Sequence, residues 1–132
     1  MKIKLDCYPV SVSKRLATIL ESIIDSSGNT DGGVIINLRD PRYSPETGGF
    51  HPVEIAVSDD GTLLYITDFA FVGCGPFVEL AKEIDYDFQN NVFGHMGIDY
   101  PMREGRQIFR VFQDNLCDYY EMGVFSVECS AL

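Results

Sequence analysis

The stretch Val53-Glu54-Ile55-Ala56-Val57-Ser58-Asp59-Asp60-Gly61-Thr62-Leu63-Leu64-Tyr65-Ile66-Thr67-Asp68-Phe69 decides the fold. Two runs rich in β-branched and aromatic residues flank Asp60-Gly61, a pair suited to a tight turn whose central residues need positive φ. A two-residue turn there sets Val57 opposite Leu64 and Ile55 opposite Ile66 on one face. Ala56 with Tyr65, and Glu54 with Thr67, then share the other. A slip of one residue would turn the apolar set toward water, so the pattern itself selects the register. Asp68 falls on the core-facing side, close to Val53 at the strand's end.

Upstream of this hairpin lies Arg39-Asp40-Pro41-Arg42-Tyr43-Ser44-Pro45-Glu46-Thr47-Gly48-Gly49-Phe50-His51-Pro52, a loop dense in charged, aromatic and turn-forming residues. Before it, Val34-Ile35-Ile36-Asn37-Leu38 is a β-branched run of strand length, expected to be buried on both faces at its start. Further back, Val12, Leu16, Ile19, Leu20, Ile23 and Ile24 recur at three- and four-residue spacing, which predicts an amphipathic helix. Ser11 or Ser13 caps its start and Ser26-Ser27-Gly28 ends it. Asn29 to Gly33 reads as a polar turn. Lys2-Ile3-Lys4-Leu5 alternates with period two and suggests a short first strand, stopped by Pro9.

Downstream, Gly73-Cys74-Gly75-Pro76 breaks the chain, with Pro76 placed to open a helix. Phe77, Leu80, Ala81 and Ile84 would form one face of that short helix. Tyr86-Asp87-Phe88 and Val92-Phe93 suggest a small hairpin around Asn90-Asn91, ended by Gly94. Ile108, Phe109, Val111, Phe112, Leu116, Tyr119 and Tyr120 mark a long helix after Pro101, closed by Gly123. Val124 to Cys129 is a final strand. This order predicts one α+β domain over residues 1–132. It would have a largely antiparallel sheet of about five to six strands packed with about three helices.

Charge bounds the function. The 132 residues carry a formal net charge of −10. Residues 1–54 hold six basic and seven acidic side chains, whereas residues 55–132 hold four and thirteen. An acidic second half repels phosphate backbones, so direct DNA or RNA binding is not expected. Such a field suits a basic protein partner, or simply solubility. A double-stranded DNA mimic would need carboxylates at phosphate-like intervals, and composition does not supply spacing; a solvated acidic face is the ordinary explanation. The start has no apolar leader and no run approaches a membrane span, so a cytoplasmic location is expected. Cys7, Cys74, Cys117 and Cys129 are too scattered for zinc or a disulfide framework and read as small buried apolar residues.

The candidate binding residues are Arg39, Asp40, Arg42, Tyr43, Glu46, His51, Glu54, Tyr65 and Asp68. If the loop folds over the hairpin, a histidine beside carboxylates and arginines provides acid–base chemistry or an anion hold. A purely structural alternative competes with this: the arginines neutralise nearby acids, the prolines stiffen the loop, and ion pairs replace an apolar core beneath it. Gly48-Gly49 lacks the lysine and following helix of a phosphate loop and serves a sharp turn. Cys74, between two glycines at a helix start, is a candidate reactive thiolate only if His51 or His95 pairs with it. His51 and His95 have no ligand spacing between them, so no metal and no cofactor is expected.

The segments Asn37-Leu38-Arg39-Asp40-Pro41, Tyr43-Ser44, Glu46-Thr47-Gly48-Gly49-Phe50-His51-Pro52-Val53-Glu54 and Tyr65-Ile66-Thr67-Asp68-Phe69-Ala70 carry a resemblance. It continues through Glu83-Ile84-Asp85-Tyr86-Asp87-Phe88 and Tyr120-Glu121-Met122-Gly123-Val124. The pattern resembles a family of small bacterial proteins catalogued as domain of unknown function 2787. The resemblance implies a gamma-proteobacterial origin, often near mobile elements, and one compact α+β domain. It brings no activity and no catalytic residue. The leading expectation is a binding or interaction module using the 39–54 loop and the adjacent hairpin. A small hydrolase using His51 with Glu54 or Asp68 is the alternative. A third reading, a small-ligand module, requires a pocket lined by Tyr43, Phe50 and Tyr65.

Overall fold

In the computed structural model, which describes residues 1–29 and 31–132, the hairpin at 53–72 is the centre of a seven-stranded antiparallel sheet. The strands are β1 (Val34–Arg39), β2 (Val53–Val57), β3 (Leu63–Val72), β4 (Glu79–Asp87), β5 (Val92–His95), β6 (Ile98–Pro101) and β7 (Ser126–Ala131). They lie in the order β6-β5-β4-β3-β2-β1-β7, so β1 to β6 form a meander. Helix α2 (Arg106–Glu121) then carries the chain back across the sheet to put β7 beside β1. Helix α1 (Lys14–Ser27) precedes β1. Both helices bury their apolar stripes on one face of the sheet, where Leu16, Leu20, Ile24, Phe109 and Leu116 join Ile36, Ile55, Ile66 and Tyr86 in a single core. No helix among the described residues is long and apolar enough to cross a membrane.

The hairpin register is that predicted from Val53↔Asp68 through Ala56↔Tyr65. Its turn is longer: Gly61 donates its amide to Ser58, and Val57 pairs with Leu63, so Leu64 sits in a bulge. Gly61 is required here. At φ +85°, a Cβ would lie 1.9 Å from the Lys2 carbonyl oxygen, because the N-terminal segment runs directly over the turn. That segment is not the expected strand: Ile3 is buried and Lys4 makes one backbone hydrogen bond, to Gly61, without entering a ladder.

Helix α1 follows its prediction. Ser13 caps it by accepting a hydrogen bond from the Leu16 amide at 3.1 Å, and Gly28 closes it at φ 75°. The polar turn expected over Asn29 to Gly33 includes residue 30, which lies outside the described residues. Strand β1 is buried on one face only, through Val34, Ile36 and Leu38; Ile35 and Asn37 are half-exposed on the other. β7 starts two residues later than Val124. Gly123 ends α2 as expected, at φ 78°.

Besides the N-terminal segment, β4 and β6 differ from expectation, and the structure has seven strands and two α-helices among the described residues. The segment read as a third helix is β4, preceded by a single 3-10 turn at Gly75–Phe77. Phe77 is 81% exposed and Leu80 44%, so the presumed helical face has nothing to cover. The open edge of β3 satisfies the β4 backbone instead, and pairing there overrides a helix-compatible sequence. Gly94 lies within β5 and does not end it, and β6 follows through a turn at Met96-Gly97, both with positive φ. Every residue of β6 is exposed, so it shows no apolar alternation.

Candidate functional site

The 40–52 loop is held by its own polar groups at one end and opens onto a cleft at the other. Asp40, buried at the end of β1, accepts the amide of Arg42 through Oδ1 at 2.9 Å and the amide of Phe50 through Oδ2 at 3.1 Å. One carboxylate thus ties both limbs of the loop together, and those two amides hold its pKa below the usual carboxylate range. A side chain at Gly49, which has φ 137°, would press on Asp40 and Tyr43. Ser44 and Gly48 bond each other's backbones, and Ser44 Oγ and Thr47 Oγ1 are 2.6 Å apart. The Tyr43 hydroxyl accepts the Phe71 amide at 3.0 Å, with the two rings stacked. Asp40, Tyr43, Ser44 and Thr47 therefore build the loop.

His51 sits where the loop rejoins the sheet. Phe69 donates its amide to the Pro52 carbonyl at 2.9 Å, fixing the approach of His51 to β3. Its Nδ1 is then 3.2 Å from Asp68 Oδ2 and 2.8 Å from Glu83 Oε2. Asp68 is on the core-facing side opposite Val53, with Oδ1 accepting the Ile84 amide at 2.8 Å. Burial is the main cause of its raised pKa, with the nearby Glu83 charge adding and His51 opposing.

Glu83 reaches this point through a β-bulge. β4 pairs Ile84 with Asp68 and Lys82 with Phe69, leaving Glu83 as the extra residue between them. Bulges re-aim side chains in this way. Its Oε2 is buried and, despite its closeness to Nδ1, is not aligned for a hydrogen bond to any group among the described residues. Sequence reading missed Glu83 because the helix assigned to 77–84 placed it on a solvent face; the bulge has no local sequence signature.

His51 and Asp68 line the polar end of a cleft of about 320 Å³ between the loop, the sheet and α2, with Glu83 Oε2 beside His51. Phe50, Val53, Phe112, Leu116, Tyr119 and Phe125 supply its apolar wall, and Phe50 packs on Tyr119 with ring centroids 4.5 Å apart. Tyr43 packs its ring against that of His51, centroids 5.3 Å apart, while the remaining candidates do not converge here. Arg39 and Glu46 are exposed, and Arg42 is 82% exposed with Nε 3.8 Å from Asp40. Glu54 and Tyr65 occupy the helix-free face of the sheet, where the Tyr65 hydroxyl donates to the Glu54 carboxylate. Beside them, Thr67 donates to Asp85 Oδ1 at 2.6 Å. Burial and the adjacent Glu54 push the Tyr65 pKa up. The pocket expected from Tyr43, Phe50 and Tyr65 therefore does not form: only Phe50 lines the cleft.

The cysteines also depart from expectation. Cys7 and Cys74 are exposed, Cys129 is half-buried and only Cys117 is buried. Cys74 precedes a 3-10 turn, too short to lend a helix dipole to a thiolate, and among the described residues it makes no hydrogen bond to His51 or His95.

The family of proteins of unknown function DUF2787 matches residues 14–130. The chain belongs to this family. No curated protein matches it. Two solved structures share this fold. One is the hypothetical protein VC0508 from the VSP-II pathogenicity island of Vibrio cholerae. It is 30% identical, with TM-score 0.82, over 98% of this chain and 99% of that one. The other is the conserved hypothetical protein VC1805, from pathogenicity island VPI-2 of Vibrio cholerae O1 biovar eltor. It is 33% identical, with TM-score 0.81, over 93% of this chain and 97% of that one, and is described as sharing structural homology with the human P32 protein.

Proposed function

We propose that this DUF2787 chain is a non-catalytic binding module that seats an apolar side chain of a basic partner protein in the cleft between the 40–52 loop and α2. The carrying observation is the cleft's polarity: an apolar, aromatic wall ending at His51 and the buried carboxylate of Asp68. At about 320 Å³ the space is at the lower end for small-molecule sites, which favours a side-chain anchor. A net charge of −10 would steer a basic partner and repel nucleic acid. The neighbours' origin in pathogenicity islands fits a partner encoded near mobile elements. Four unpaired cysteines fit the reducing cytoplasm.

Calorimetric titration with acetyl-Lys-Phe-Lys-amide and acetyl-Glu-Phe-Glu-amide tests this reading. Saturable binding of the basic peptide, weakened at high salt and absent for the acidic one, is the expected result. Equal binding of both, or of neither, counts against it.

One observation favours a second reading. The 3.2 Å contact of His51 with Asp68 selects Asp68 over Glu54 as the partner of a hydrolase-like acid–base pair. Among the described residues lining the cleft there is no serine, threonine or cysteine, so the route this reading would use is activation of water by His51. Equal p-nitrophenyl acetate hydrolysis by the wild type and His51→Ala would exclude this route.

A further inference from the structure

Three potential ligand atoms from separate parts of the chain meet beside the cleft, which His51 and Asp68 line: His51 Nδ1 from the loop, Asp68 Oδ2 from β3 and Glu83 Oε2 from β4. All lie within 4.8 Å of one another, and Nδ1 is 2.8 and 3.2 Å from the two oxygens. Ligands about 2.1 Å from one metal ion are roughly 3 to 3.4 Å from each other for octahedral to tetrahedral angles, and the two distances from Nδ1 fall close to that range. The Asp68 side chain is only 8% exposed, so the charges are partly removed from water.

A proton on Nδ1 does not satisfy this arrangement. It serves Asp68 in a hydrogen bond, and Glu83 Oε2 remains buried without one. A buried carboxylate oxygen with no donor is costly, and the cost recurs in every molecule unless something else occupies the point it faces. The bulge turns the Glu83 side chain to this point while its carbonyl still accepts the Met96 amide at 2.9 Å, so the backbone is satisfied and only the carboxylate oxygen is left without a donor. Asp68 Oδ1, by contrast, is occupied by the Ile84 amide, which orients the carboxylate with Oδ2 toward the same point.

We propose that His51, Asp68 and Glu83 form a binding site for a divalent first-row transition metal, with its remaining positions open to the cleft. One imidazole nitrogen with two carboxylate oxygens suits zinc, manganese, iron or cobalt better than calcium or magnesium, which prefer all-oxygen shells. The metal would replace the Nδ1 proton and give Glu83 Oε2 the partner it lacks. This site goes beyond the partner-binding reading: it shares His51 and Asp68 with the cleft, but metal capture needs no peptide and peptide capture by the aromatic wall needs no ion, so each can fail without the other.

The test uses the whole chain, stripped with chelator and titrated with Zn²⁺ and Co²⁺ by calorimetry and absorption. One saturable equivalent is expected, with a cobalt d–d spectrum free of thiolate charge transfer. Glu83→Gln and His51→Ala should each weaken it by at least the roughly tenfold that loss of even an outer-shell partner costs a metal site. The Cys7→Ser/Cys74→Ser and His95→Ala variants should bind as the wild type does. On the wild type itself, zinc should shift the imidazole nitrogen resonances of His51 and leave those of His95 in place, a readout that needs no variant to fold. Absence of saturable binding, unweakened binding by Glu83→Gln, or dependence on the cysteines or His95 would overturn the proposal.

Discussion

Gln113 joins the two helices at a point where the consequence of its removal can be worked out. Its side chain is on the buried side of α2, 5% exposed. Its Oε1 accepts the Ser13 amide at 3.0 Å, and its Nε2 donates to the Ser11 carbonyl at 2.7 Å. Ser13 is the cap of α1, so Gln113 secures the backbone just where the helix starts. In Gln113→Ala both backbone groups lose their partner. Each lost buried hydrogen bond that leaves its partner unsatisfied costs about 1–3 kcal/mol. Because both bonds are only partly buried, water recovers some of this. The expected destabilisation is therefore about 2 kcal/mol, near the low end of the summed range. That corresponds to a fall in Tm of roughly 8 °C for a domain of this size. Urea unfolding followed by circular dichroism should show a lower midpoint with an unchanged slope. Gln113→Glu keeps the acceptor for Ser13 but loses the donor to Ser11, and should also destabilise. A loss below about 0.5 kcal/mol in Gln113→Ala, typical of an uninvolved surface position, would refute this account of how α1 and α2 are locked.

Asp40 has a depressed folded-state pKa, so its contribution is present above its unfolded pKa and is lost as pH falls through the folded value. Asp40→Asn should therefore be less stable than the wild type at neutral pH, with the two converging in strong acid; a constant gap across an acid titration would contradict this. Gly61→Ala should destabilise by about 1–3 kcal/mol, because positive φ and the Lys2 carbonyl leave no room for a Cβ, and a melt unchanged from wild type would show that the N-terminal segment does not cross the turn. Phe77→Ser should change stability by less than about 0.5 kcal/mol in urea, since the ring is exposed. A large loss would restore the helix that the β4 assignment displaced.

The parts of the fold legible from sequence are those in which local pattern and tertiary demand agree. The α1 stripe of Leu16, Ile19, Leu20, Ile23 and Ile24 had only one surface to bury, and the 53–69 hairpin had only one register that kept Ile55 and Ile66 inside. β4 was not legible because Glu79-Leu80-Ala81-Lys82-Glu83-Ile84 satisfies helical spacing, while its strand state depends on the distant edge of β3. β6 was invisible because Ile98 to Pro101 has no buried member. The site divided along the same line. His51 and Asp68 were named because both flank the hairpin, but the partner that completes their cluster comes from the misread segment. Arg39 and Arg42 looked functional by composition, yet both are exposed, and Arg42 reaches only a 3.8 Å ion pair with Asp40, whose oxygens backbone amides hold. Glu54 and Tyr65 were placed on the right face by the register, which separates them from His51 by the thickness of the sheet.

The cleft as a binding site is most directly tested by an amide chemical-shift map of the wild-type chain titrated with acetyl-Lys-Phe-Lys-amide. The account predicts that the largest shifts cluster at Phe50, His51, Asp68, Leu116 and Tyr119. Shifts confined to Glu54, Tyr65 and Asp85 on the opposite sheet face, or scattered over the acidic surface without saturation, would contradict it.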